Sequence, residues 1–306
     1  MKPRYLFPVS GEETPGPVSF VAIGDSFTEG LNDPAPGGGF RGWADRLAGL
    51  LAAGRPDLRY ANLAVRGKLL RQIAADQVPA ALDLLADRVP GSTALVSIAG
   101  GGNDILRPGA DPDTLAELFG AAIARLRAGG CEVLMFTGFD PTAFPVMRLL
   151  RGRIAAYNMH LRALADDHDC YLVDLWSMRV LRDPRAWSAD RLHLGPDAHR
   201  RIALRSCEVL GVPVAEDWRA PLDGPEAAAA AAGADLAVAR PGKSTTGSAA
   251  KNAARAAWMA ARREDARWTR AHFVPWVNRR LHGTSSGDDR TAKRPALESV
   301  TPPVTM

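Results

Sequence analysis

Four short blocks of this chain hold residues whose types and spacing can do chemistry. The first, Gly24-Asp25-Ser26-Phe27-Thr28-Glu29-Gly30, follows an apolar run and sets a serine between glycines that permit a tight turn. A hydroxyl at the carboxyl end of a strand is placed as a nucleophile, but the same residues suit an ordinary turn in which Asp25 and Ser26 cap a helix. The second block, Asn62-Leu63-Ala64-Val65-Arg66-Gly67, ends on a glycine whose backbone N–H no side chain obstructs; read alone, it is a plain strand-to-helix turn. The third, Ala99-Gly100-Gly101-Gly102-Asn103-Asp104, brings a side-chain amide to the end of a very apolar run. Its glycines match neither the Gly-x-x-x-x-Gly-Lys-Ser/Thr nor the Gly-x-Gly-x-x-Gly phosphate-binding pattern, so Asn103 reads as a hydrogen-bond donor. In the fourth, Asp190-Arg191-Leu192-His193-Leu194-Gly195-Pro196-Asp197-Ala198-His199, a carboxylate three residues before a histidine can hold its Nδ1–H and leave Nε2 to take a proton. Taken singly, such a pair is more often a surface hydrogen bond.

Elements that must position these blocks are visible as alternating patterns. Short runs rich in Val, Ile and Leu at residues 18–23, 59–63, 93–99, 132–137 and 170–173 predict five strands. Between and after them, residues 40–53, 69–86, 112–128, 149–168 and 196–210 have the length and spacing of amphipathic helices. Near-continuous apolar strands need cover on both faces, and parallel crossovers need a helix, so the expected fold is a three-layer α/β/α sandwich on a five-stranded parallel sheet. In such sheets ligands sit at the carboxyl ends of the strands, where all four blocks fall.

Composition bounds the remaining possibilities. With 306 residues, 46% hydrophobic and 24% charged, the chain suits a soluble globular protein of one large domain and an appendage. Its net +4 is uneven: residues 241–306 hold 12 Lys and Arg against 5 Asp and Glu, a net +7, and residues 1–240 hold 26 against 29, a net −3. Dispersed Arg of this kind suits a solvated helix, and nucleic acid is not an expected partner. Cys131, Cys170 and Cys207, odd in number and set in apolar contexts, read as reduced core residues. Neither an N-terminal apolar stretch of about 7 to 15 residues nor a run of about 18 is present, from which a soluble, cytoplasmic protein is expected. Residues 1–217 are expected to form the main domain and residues 218–248, rich in Pro, Gly and Ala, a linker. Residues 249–281, with Trp258, Trp268, Phe273 and Trp276 among Ala and Arg, predict an amphipathic helix broken near Pro275, which docks on the main domain or offers its aromatic side to a membrane or protein partner. Residues 282–306 are expected to be disordered.

In this order the four blocks resemble those of the GDSL, or SGNH, family of esterases and lipases, named for the Ser, Gly, Asn and His of four sequence blocks. Gly24-Asp25-Ser26 matches the nucleophile block, with Phe27 in place of a frequent Leu; Gly67 matches the glycine, Gly102-Asn103-Asp104 the asparagine block, and Asp190-x-x-His193 the last. The resemblance covers about residues 18–210 and leaves the Trp-bearing tail outside it. It implies a flavodoxin-like sandwich, a small-molecule ester substrate and no cofactor or metal. It further implies a catalytic set of Ser26, His193 and Asp190, with an oxyanion hole from Ser26, Gly67 and Asn103. His199 is the rival base, and Asp25, Asp104 and Asp197 are rival orienting carboxylates; the preference for Asp190 rests mainly on the family block. The α/β-hydrolase elbow Gly-x-Ser-x-Gly does not fit, because Thr28 stands at its second glycine, and no His, Cys, Asp or Glu cluster has zinc spacing. Two other functions stay open at this level: acyl transfer to an acceptor other than water, and binding through the basic Trp-bearing tail.

Overall fold

The computed structural model describes residues 18–89, 91–144, 147–222 and 287–302, with Leu6 and scattered positions between 259 and 275. Met1–Ala220 and Ser286–Met306 form one unit, and Pro221–Ser285 a second. The expected linker and amphipathic helix lie almost wholly outside the described residues.

Five strands follow the apolar runs: β1 (Ser19–Ile23), β2 (Arg59–Asn62), β3 (Ala94–Ile98), β4 (Glu132–Phe136) and β5 (Tyr171–Val173). All five are parallel, in the order β5-β4-β3-β1-β2, so the chain reverses direction across the sheet after β2. That reversal leaves β1 and β3 adjacent and opens a crevice at their carboxyl ends, where an open α/β sheet takes its ligand.

Among the described residues, eight helical segments are labelled here α1 (Ser26–Glu29), α2 (Gly42–Gly54), α3 (Leu70–Gln72), α4 (Val78–Leu84), α5 (Gly102–Ile105), α6 (Pro112–Ala128), α7 (Arg151–Asp167) and α8 (Pro196–Leu210). Strand side chains alternate between two covers. Val21, Ile23, Val96, Ile98, Val133 and Met135 pack with Leu70, Val78, Phe119, Ile123, Tyr157 and Leu161 of α3, α4, α6 and α7. On the other face α2 lies against α8, with Trp43, Leu47, Leu51 and Ile202 buried. The sandwich is three-layered, as the periodicity predicts. Pro112 and Pro196 open their helices where a missing N–H costs nothing, and Asp111 accepts from the Asp113 and Thr114 amides at 3.4 and 3.1 Å.

Two expectations are corrected. Residues 69–86 are not one regular helix: a π-helical stretch, Ile73–Gln77, separates α3 from α4, and the Val78 N–H reaches back to the Ile73 carbonyl. Pro79 is the physical reason, since it has no N–H to give to residue 75 and its ring crowds that carbonyl. The sheet also has six strands, not five. Residues of the tail expected to be disordered form β6 (Arg294–Ser299), antiparallel on β2 with Arg59 opposite Ser299 and Tyr60 opposite Glu298. An edge strand buried on both faces offers unpaired backbone groups, and β6 takes them up. Among the described residues, no helix is long and apolar enough to cross a membrane. Cys131 and Cys207 are buried thiols, as their apolar contexts imply, and Cys170 packs partly buried against the core.

Candidate active site

Ser26 is the first residue of α1, directly beyond β1, and two interactions hold it there. The Asp25 carboxylate caps the helix by accepting from the Phe27 N–H at 3.0 Å. Gly24 is clamped by Gln77, whose amide oxygen accepts its N–H at 2.7 Å and whose amide nitrogen donates to its carbonyl at 2.9 Å. Gly24 has φ +152° and no space for a larger residue; a Cβ there would fall 2.6 Å from Thr28 Oγ1 and 2.7 Å from the Ala99 carbonyl. Phe27 packs beneath the turn against Trp43 and Phe136, with ring centroids 5.4 and 5.5 Å away.

His193 arrives from the opposite end of the chain, on the loop between β5 and α8. The backbone of that loop closes on itself: the Ser188 N–H donates to the His193 carbonyl at 2.9 Å, and the Gly195 N–H to the Ala186 carbonyl at 2.8 Å. The imidazole Nε2 lies 3.1 Å from Ser26 Oγ, and Nδ1 lies 2.8 Å from Asp190 Oδ2. Asp190 Oδ1 accepts the backbone N–H groups of Leu192 and His193, each at 3.0 Å, and the Ser188 hydroxyl at 2.6 Å. Burial works to raise the Asp190 pKa, but the hydrogen bonds and charge of His193 and the Ser188 hydroxyl outweigh it and hold the carboxyl well below the usual range. The carboxylate is therefore ionised across the neutral range.

Asn103, at the start of α5 beyond β3, donates its amide to Asp25 Oδ2 at 3.0 Å and to the Lys68 carbonyl at 3.1 Å. It thus stands between the serine turn and the segment after β2. Gly67, just before Lys68, has φ +76°, a left-handed conformation that other residues enter at a cost. Arg66 ties the same segment to α1, giving its backbone N–H to Glu29 Oε2 at 2.8 Å and its guanidinium to both Glu29 oxygens. All five expected site residues therefore gather at the carboxyl edge of the sheet.

The rivals have other occupations. His199 is buried, takes the Trp43 N–H on Nδ1 at 3.2 Å and has Nε2 3.3 Å from the Leu31 carbonyl, so it braces α2 against the serine turn. Burial pushes its pKa down to about 4. Asp25 caps α1; Asp104 accepts the Leu70 N–H at 3.0 Å; Asp197 pairs with Arg200 and Arg201 at 2.8 and 2.5 Å. Sequence reasoning missed Gln77, Ser188 and Asn32, whose amide reaches Asp190 Oδ2 at 3.0 Å and Ser188 Oγ at 2.8 Å. Nothing in their local sequence marks them. Gln77 and Asn32 act across separations of 53 and 158 residues, where only folding supplies the partner, and Ser188 acts on Asp190 two residues away in its own loop.

A serine, a histidine and a carboxylate thus stand in hydrogen-bonded series at the carboxyl edge of a parallel α/β sandwich. The chain matches the model of the GDSL-like lipase/acylhydrolase family over residues 22–201 and belongs to that family, whose members are hydrolases acting on esters. Among solved structures it is similar to TesA, with 25% identity and a TM-score of 0.51 over 63% of this chain and 97% of that one. It also resembles a variant of Axe2, an acetyl xylan esterase from Geobacillus stearothermophilus, with 19% identity and a TM-score of 0.52 over 65% and 97%. A lipolytic protein of the G-D-S-L family from Veillonella parvula shares 20% identity, with a TM-score of 0.51 over 63% and 98%. No curated protein matches the chain.

Proposed function

We propose that the protein is a serine esterase that cleaves carboxylic esters through an acyl-enzyme. The observation that carries this reading is the continuous path from Ser26 Oγ through the His193 ring to Asp190, with contacts of 3.1 and 2.8 Å. As Oγ bonds to the ester carbonyl carbon, His193 Nε2 takes the hydroxyl proton; collapse of the tetrahedral intermediate breaks the bond to the alkoxy oxygen, and the same proton goes to the departing alcohol. Water then repeats the cycle on the acyl-enzyme and releases the acid. Asp190 stays ionised, holds the Nδ1–H tautomer and stabilises the imidazolium.

The backbone N–H groups of Ser26 and Gly67 and the Asn103 amide would meet the negative oxygen of each intermediate. For Asn103, donation to that oxygen exchanges one of its bonds to Asp25 and Lys68, a reorganisation that an approaching anion can drive. Beside the His193 loop, Phe139 and Phe144 meet Trp187 edge to face with centroids 4.3 and 5.3 Å away, and an apolar acyl group fits such surroundings. An acyl-length series of aryl esters tests the reading. Wild-type protein is expected to turn over the shorter members, and Ser26→Ala to lose about 10⁴-fold or more in kcat with an unchanged melting temperature. Turnover that survives the substitution would refute the assignment.

A further inference from the structure

Residue 32 lies six positions beyond the serine and makes a connection that no part of the reaction scheme uses. The two protons of its Nδ2 amide go to Asp190 Oδ2 at 3.0 Å and to Ser188 Oγ at 2.8 Å. The Ser188 hydroxyl passes its own proton to Asp190 Oδ1 at 2.6 Å, so Asn32, Ser188 and Asp190 close a ring on the carboxylate. That ring is built on a rigid mount. Leu31, on one side, donates its N–H to the Ser26 carbonyl at 3.1 Å and has His199 Nε2 3.3 Å from its own carbonyl. Asp33, on the other, is 1% exposed and accepts the Gly42 N–H at 3.0 Å and the Arg46 guanidinium at 2.7 and 3.0 Å. Asn32 itself has φ +69°, the left-handed conformation, which Asn enters more readily than other residues with a side chain.

We infer that Asn32 is a positioning residue: it latches the loop that carries Asp190 and His193 to the turn that carries Ser26, and so sets the line-up of imidazole and hydroxyl. The inference rests on the esterase reading above. The physical argument is that Ser26 and His193 lie 167 residues apart and reach each other through one 3.1 Å contact, too weak to hold two loops in register. Asn32 adds a direct bond from the nucleophile's own segment to the carboxylate that aims the ring. It also supplies Asp190 Oδ2 with a second donor besides His193, so the carboxylate cannot swing about its own bond to follow the imidazole.

Two substitutions test it. Asn32→Gly keeps a residue suited to φ > 0 and removes only the amide, while Asn32→Asp keeps the shape and faces Asp190 with a like charge. For Asn32→Gly the expected result is a fall in kcat of roughly ten- to a hundred-fold with KM within about twofold and an unchanged melting temperature. A merely structural residue would move stability instead. For Asn32→Asp kcat should fall at least as far, because the new carboxylate repels Asp190 and pushes the loop away from the serine turn. A readout that needs no substrate is the low-field proton resonance of the His193 Nδ1–H bonded to Asp190, which should shift or broaden in both variants. Asn32→Gly turning over within twofold of wild type with that resonance unmoved would overturn the inference. If wild-type protein fails the Ser26 test, the esterase reading falls, and the resonance alone decides for or against the latch.

Discussion

Two histidines sit within reach of the serine turn, and burial separates what they do. His193 is part-exposed in the middle of the hydrogen-bonded series, whereas His199 is 1% exposed with both ring nitrogens engaged by α2 and Leu31. A ring held that way is neutral in the fold: its pKa falls to about 4 from an unfolded value near 6.5. Between those two values the unfolded chain binds the extra proton, so stability rises with pH there. It is full above about 6.5 and lost as pH drops toward 4, by an amount on the order of 3 kcal/mol. Urea melts at pH 7 and pH 5 should show that loss in the wild type, and His199→Gln should flatten the dependence while lowering stability at both. An equal pH dependence in the variant would show that other groups carry it. The same accounting separates Asp190 from Asp25, Asp104 and Asp197, each of which is committed to a helix end or an arginine.

Among the elements, β6 changes the meaning of the C-terminal sequence. Lys293, at its start, extends back over the loop before α2, donates to the Phe40 and Arg41 carbonyls at 3.1 and 2.7 Å, and pairs with Asp45 at 3.0 Å. Asp45 also accepts the Tyr60 hydroxyl at 2.7 Å, and Tyr60 lies in β2, the partner of β6. The lysine and the carboxylate thus tie β6 to α2 and to its partner strand β2. Lys293→Met would leave Asp45 charged, largely buried and short of its cation, at a cost of about 3 kcal/mol. A melting temperature lowered by several degrees is expected, with a larger drop and concentration-dependent self-association when the chain stops at residue 285 and bares β2. An unchanged melting temperature in both would mean that β6 adds nothing to the fold. The π-helical stretch is the other element-level device: by widening the helix ahead of Pro79 it turns Gln77 inward, where it is 5% exposed and grips Gly24.

At the scale of the molecule, the proposed site belongs to the unit formed by Met1–Ala220 and Ser286–Met306, and Pro221–Ser285, which separates these segments in sequence, forms a second unit. Every residue of the proposed site lies in the first. Replacing residues 223–285 by a flexible Gly/Ser segment of about 20 residues, whose mean reach is roughly 25 Å, should keep ester turnover within about threefold. Loss of turnover with the fold intact would assign the second unit a part in catalysis. Local chemistry made much of this protein legible beforehand. Apolar runs marked five strands within a residue or two, proline and glycine marked helix ends, and the Gly-Asp-Ser, Gly67, Asn103 and Asp190-x-x-His193 blocks were readable because each needs a particular residue type at a particular spacing. What only the tertiary structure decided depends on pairings between distant segments. Arg294–Ser299 is polar and short and carries no strand signal of its own, so its place is set by the vacant edge of β2. Likewise Asn32, Ser188 and Gln77 are ordinary polar residues until folding gives them a carboxylate or a glycine to hold. Propensity and periodicity are properties of a local stretch; a hydrogen bond across 158 residues is a property of the packed sheet that brings its ends together.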